Sequence, residues 1–200
     1  RKRYALHKGD ADLQAAHAAC PWFVVWDDHE VQNDYAGLAP GDSGPPVTDF
    51  AARRAAAYQA YYEHMPLRAS VLTRALAGLG TGAEMRIHGQ VRVGRRATMH
   101  LLDARQYRSP QACTQDDKPG SSRVNPAACA SWLDPARSML GAEQERWLTE
   151  SFSRSAGADG WNLLAQGPAG HVVRRWAREP VRAPAPPGAR GRAHARGRAR

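Results

Sequence analysis

Trp22-Phe23-Val24-Val25-Trp26 runs straight into Asp27-Asp28-His29-Glu30. An unbroken apolar run dense in aromatic and β-branched side chains fits a strand buried on both faces better than a helix. Working outward, Asp10 to Ala19 is rich in Ala and Leu, with Asp10 and Asp12 at its front, so a helix is expected there and Pro21 stops it. Asp49 to Tyr62 repeats Phe50, Ala57, Tyr58, Tyr61 and Tyr62 at helical steps, with the tyrosines facing a core, and Pro66 closes that element. Met85 to Val93 and Arg96 to Asp103 read as a hairpin across a glycine turn. Gly141 to Ser155 reads as an amphipathic helix, with Trp147, Leu148 and Phe152 inward and Glu143, Glu145 and Glu150 outward, and Trp161 to Ala165 as a second brief buried strand. This mixture predicts a layered α/β domain. Ligands in such sheets sit beyond the carboxyl ends of strands, which points to Asp27 to Glu30 and to Asp103 to Arg105.

Asp27, Asp28, His29 and Glu30 are three carboxylates and an imidazole in immediate succession. Hard oxygen donors suit calcium, magnesium or manganese, and the histidine adds tolerance for iron or zinc. Four ionisable groups in a row repel unless something neutralises them, and a cation is the simplest remedy. The plainer alternative is a set of acidic residues that cap a loop and ion-pair at the surface.

The 200 residues amount to about one domain, so a separate regulatory domain is not expected. No run reaches the roughly 20 apolar residues of a membrane-spanning helix. No apolar leader follows Arg1-Lys2-Arg3, so a signal peptide is expected to be absent here or removed upstream. The formal net charge is +9, and residues 167–200 hold nine Arg against one Glu, which leaves the body near neutral. That tail carries five Pro and five Gly and little that can be buried, so it is expected to be disordered. It reads as a solvated tail or as a polycationic arm for nucleic-acid phosphates. Its Arg, Ala, Gly and Pro usage also matches a shifted reading frame, which would put the natural end near Gln166. Cys113 and Cys129 bracket a polar stretch with Asp116, Lys118, Gly120, Ser121 and Asn125. A disulfide or two free thiols both suit them, and Cys20 reads as a small buried residue.

Trp26 to Gly37 and Leu102-Asp103-Ala104-Arg105-Gln106-Tyr107-Arg108 are long and specific stretches. With Tyr4 to Lys8, Asp12 to His17, Tyr58 to Leu67 and Met139 to Leu148, they resemble the PhoD-like alkaline phosphatases, metallophosphoesterases, in the family's order over most of 1–166. The resemblance implies a metallophosphoesterase-like α/β sandwich, incomplete here, with 1–166 as its central part and 167–200 as the tail. It implies Asp28 as a metal ligand touching phosphate, Asp27 and Glu30 orienting ligands or holding a second cation, and His29 as the group that protonates the departing alkoxide or stabilises the phosphorane-like charge. Asn33 and Arg105 are implied on the substrate side, with a salt bridge from Arg105 to Asp103 as the plain alternative. His7, His17 and His64 match family positions and read as packing or hydrogen-bonded residues.

The activity implied is metal-assisted hydrolysis of phosphate monoesters and diesters with iron (Fe3+) and calcium (Ca2+), in a periplasmic or secreted enzyme, which agrees with a Cys113–Cys129 bridge. Segments that the family carries before and after the matched region, including further metal ligands, have no counterpart here; His171 and His194 lack an acidic partner in the family's arrangement. A chain with one of at least three ligand clusters is expected to be weakly active or inactive, with sheet edges left open. Two other readings are nucleic-acid binding through the Arg-rich tail and metal binding without turnover.

Overall fold

The computed structural model describes residues 1–41, 47–72, 85–114, 126–155 and 160–167. The tail from 168 onward, His171 and His194 included, and the polar stretch 115–125 lie outside the described residues. Asp10 opens a helix as expected: its carboxylate accepts the Leu13 N–H at 2.8 Å and starts α2 (Ala11–Ala19). A further short helix, α1 (Lys2–Lys8), precedes it. Asp49 does the same for α3 (Phe50–His64), accepting the Ala52 N–H at 2.9 Å. Phe50, Arg54, Tyr58 and Tyr61 fall on one side of α3 and are buried.

The core forms around Trp26, which is fully buried and stacks on Tyr58 at 4.1 Å with Tyr61 edge-on at 5.5 Å. The Tyr58 hydroxyl meets that of Tyr35 at 3.0 Å, so the polar ends of both rings are satisfied inside the core. Arg54 is buried too; its guanidinium donates to the Gly37 carbonyl at 3.1 Å and lies over the Tyr58 ring. Tyr62 is only half-buried. His64 bonds the Ala60 carbonyl at 2.8 Å and stacks on Tyr4, His17 stacks on Trp22, and His7 is exposed.

The hairpin exists in shorter form: β1 (Gly89–Val93) pairs antiparallel with β2 (Ala97–Leu101), Gln90 opposite His100. Gly94 turns the corner at φ +59°, where a side chain is disfavoured. Met85 and Ile87 leave the ladder and bury their side chains in the core instead. A third strand, β3 (Trp161–Ala165), runs parallel to β2, giving the order β1-β2-β3. Between β2 and β3 comes α4 (Ala142–Ser155), the crossover that a parallel pair requires. It covers one face of the sheet, where Phe152 meets His100 at 4.8 Å and Ser151 bonds Gln90. The architecture is mixed α/β. Among the described residues no helix is long and apolar enough to cross a membrane.

Four expectations need correction. Trp22 to Trp26 forms no strand, because no ladder partner runs beside it among the described residues; Trp22 and Phe23 are 38% and 44% exposed and only Trp26 is fully inside. Continuous apolarity signals burial, and pairing needs a neighbour to take up the backbone groups. The β3 strand is not buried: Trp161 is 76% exposed, since among the described residues β2 is its sole neighbour in the sheet. The most buried positions of α4 are the polar Gln144 and Ser151, with Trp147, Leu148 and Phe152 half-buried around them. Cys20 is exposed, and its thiol points back to the Ala16 carbonyl at the open end of α2. Cys113 and Cys129 are joined as a disulfide with Cα atoms 5.7 Å apart.

Candidate active site

Three chain segments meet where the sheet rule places a ligand. One leaves Trp26 through Asp27 and Asp28, one leaves β2 through Asp103 to Arg105, and one leaves β3 at Gly167. A Cβ on Gly167 would stand 2.8 Å from the Asp27 carboxyl carbon, so a side chain there would have to displace the Asp27 carboxylate. The first segment folds into turns because Asp28 organises it from both ends. Its carbonyl accepts the N–H groups of Val31 and Gln32, and its carboxylate accepts the Asp34 N–H at 2.8 Å. Asp34 itself sits at φ +57°, a conformation that aspartate tolerates better than most residues. Glu30 turns back to accept the Asp27 N–H at 2.9 Å.

Arg105 sits between the carboxylates. Its Nε donates to Asp27 at 2.7 Å, and its two terminal nitrogens stand 3.4 Å from Asp28 and 3.5 Å from Asp34. The Arg105 side chain is 5% exposed, so these pairs are largely desolvated on the arginine side. Burial pushes the Asp28 carboxyl up, yet the Asp34 amide and the Arg105 charge outweigh it and hold Asp28 below its ordinary value. Burial works against the Arg105 cation in the same way, and the three aspartates override it and raise it. Arg108 stands in the field of the same aspartates and is lowered by burial and by Arg105. His29 reaches 3.9 Å from Asp28 with its side chain 79% exposed, open to anything that approaches from solvent. Asn33 lies beside Asp34, 3.5 Å from its carboxylate.

Arg105 does not pair with Asp103 through its guanidinium; only its backbone N–H does, at 3.0 Å. Asp103 is fully buried and its carboxylate accepts four N–H groups: Trp26 Nε1 at 2.9 Å, Gln106 N at 2.9 Å and Gln106 Nε2 at 3.1 Å join the Arg105 amide. Gln144 of α4 clamps its backbone, accepting the Asp103 N–H at 2.9 Å and donating to its carbonyl at 2.8 Å. Asp103 thus ties Trp26, the residue before Asp27, to the segment that carries Arg105. Sequence reasoning passed over Asp34, Gln106 and Gln144. Asn33-Asp34 ahead of Gly37 was a turn signal that could have marked Asp34, whereas nothing local marks a glutamine as buried.

As donors, Asp27, Asp28 and Asp34 suit a hard cation in kind. Among the described residues, however, no group of three His, Cys, Asp or Glu side chains is placed to hold one, and Arg105 takes the space between the carboxylates. The described residues therefore bring part of an ion site and not the whole of it.

In this mixed α/β unit acidic and basic residues gather where Trp26, β2 and β3 run out, and the sequence model of the PhoD-like phosphatases matches residues 1–194: the chain belongs to that family. It is similar to alkaline phosphatase D of Bacillus subtilis (strain 168), 45% identical over 166 residues that make up 83% of this chain and 25% of that protein. A solved structure described as that of PhoD matches with a TM-score of 0.62 at 43% identity, over 81% of this chain and 28% of the other. The chain spans about a quarter of the length of these relatives.

Proposed function

We propose that the chain is the central part, residues 1–166, of a metal-dependent phosphate-ester hydrolase of the PhoD type, acting on monoesters and diesters and working in the periplasm or outside the cell. The observation that carries this reading is the convergence of Asp27, Asp28 and Asp34 on Arg105 with the exposed His29 imidazole beside Asp28. Ca2+ and Fe3+ are the cations we propose, as the resemblance to the PhoD-like phosphatases implies, and carboxylate oxygens suit them in kind. Asp28 and Asp27 are two of the ligands, and among the described residues no third His, Cys, Asp or Glu is grouped with them to hold an ion.

The chain's own groups divide the remaining work. His29, solvent-facing and within reach of the Asp28 carboxylate, delivers a proton to the leaving alkoxide, a task that imidazole performs near neutral pH. Arg105 fixes Asp27 and Asp28 relative to each other and presents its remaining positive potential to phosphoryl oxygens, with Asn33 at the rim. Glu30 holds the Asp27 backbone in place. An incomplete ligand set predicts slow turnover.

The test is hydrolysis of p-nitrophenyl phosphate and bis-p-nitrophenyl phosphate by the whole chain with calcium and iron supplied. Slow turnover that EDTA abolishes and that His29→Ala lowers about a hundredfold, within the range of general acid catalysis, is the expected result. Turnover indifferent to EDTA or to His29→Ala overturns the reading. A folded chain with no turnover overturns activity in this polypeptide.

A further inference from the structure

His88 is 93% removed from solvent by its 7% exposure, and neither ring nitrogen has a hydrogen-bond partner. Buried polar atoms are nearly always paired, and an orphaned one is costly, so two on one ring call for an explanation. The ring stands between Tyr107, edge-on at 5.7 Å, and Trp147 at 5.3 Å. It lines an open cavity of about 400 Å³, within the range of small-molecule sites. Arg86, Glu143 and Gln144 line the same cavity.

The far wall is the first turn of α4. Gly141 precedes that helix at φ +78° and packs so closely on Tyr107 that a Cβ would come within 2.8 Å of it. The first amides of a helix have no partner in their own helix and carry the positive end of its dipole. A cationic guanidinium, a buried imidazole with unused nitrogens and a 14-residue helix opening onto the same space make a receptor for an oxyanion.

We propose that this cavity is a second, non-catalytic phosphate site, in which Arg86, the His88 ring and the first turn of α4 hold a singly protonated phosphate group. Burial and the neighbouring Arg86 charge shift the His88 ring toward its neutral form, which offers one N–H donor and one bare nitrogen. A fully ionised phosphate only accepts hydrogen bonds, whereas a P–OH group can also donate, to the bare ring nitrogen or to the Glu143 carboxylate at the cavity edge. Glu143 also disfavours the dianion by like charge. The site is separate from the Asp28 cluster and does not depend on the hydrolytic reading.

The experiment is titration of the metal-free chain, in EDTA, with inorganic phosphate, followed by nuclear magnetic resonance of the His88 ring and of the Ala142 and Glu143 amides. Saturable shifts at these groups are expected. Arg86→Gln, at an exposed position that does not threaten folding, and His88→Phe, which keeps a ring between Tyr107 and Trp147, should each weaken binding about tenfold, the scale of one lost charge-assisted bond. Asp28→Asn should leave it unchanged. Phenyl phosphonate, which cannot be hydrolysed, separates a site for phosphoryl groups of esters from one for free phosphate: binding of both places it in the first class, and of inorganic phosphate alone in the second. Absence of saturable shifts, or shifts that survive Arg86→Gln and His88→Phe, overturns the proposal.

Discussion

Asp27-Asp28 and Asp103 stand at two apolar-to-acidic transitions that look alike in sequence and differ in every physical respect. At the first, three carboxylates share one guanidinium, and Asp27 and Asp34 keep 38% and 43% of their side-chain surface open to solvent. At the second, a single carboxylate is fully buried and surrounded by neutral N–H donors. The first is a cluster that can exchange its counter-ion for a ligand or an ion. The second is saturated and has nothing left to bind with. A carboxylate that ends an apolar run therefore stays open to a ligand or becomes scaffold according to whether its partners are charged and reachable or neutral and enclosed.

The comparison breaks most severely at Asp103. Asp103→Ala strands the Trp26 indole N–H, two backbone amides and the Gln106 side chain inside the core at once. A loss of about 3–5 kcal/mol is expected, the upper range for point substitutions, measured by denaturant unfolding. A loss under about 1 kcal/mol would show that water or other groups take over these donors. Next comes Arg105→Met, which keeps the buried stem and removes the charge. Asp27, Asp28 and Asp34 then repel one another unscreened, for an expected loss of about 2–3 kcal/mol that shrinks as salt is raised. The Arg105 backbone N–H still reaches Asp103, so the Trp26 indole resonance should stay in place. If that resonance moves, the two regions are one network.

Part of this difference was legible in the sequence. Asp10 and Asp49 announced their helices because a cap is a local device, satisfied within three residues. The tyrosine period of α3 was legible for the same reason. The Asp27 to Glu30 stretch could be picked out by its density of charge, and the PhoD-like match placed it in a family. What could not be read was pairing between distant segments. Whether Trp22 to Trp26 joins a sheet depends on a neighbour, and the fate of Arg105 depended on a fold that brings Asp27 to it across a sequence separation of 78. The polar interior of α4 was hidden for a related reason: Gln144 is buried because Asp103 needs both its donor and its acceptor.

The smallest effect sharpens the comparison through pH. Asp28 is held below its ordinary 3.8, since the Asp34 amide and Arg105 outweigh desolvation. Its ionised form is bound more tightly in the folded chain, so its contribution is complete above 3.8 and is lost as pH falls through the lower folded value. Asp103 is shifted the other way, above 3.8, by burial that its four donors only partly offset. The unfolded chain gives up that proton first, so stability declines as pH rises from 3.8 to the folded value and is level beyond it. Asp28→Asn should therefore flatten the acid-side loss by about 1 kcal/mol, the scale of a hydrogen bond to a charged group seen through partial solvent screening. Asp103→Asn keeps one carbonyl acceptor and removes a term of opposite sign, so the acid-side loss should steepen. Unfolding midpoints of both variants against pH decide it: slopes that change in the same direction would mean that Arg105 and the Asp34 amide do not govern Asp28, and that burial rules both carboxylates alike.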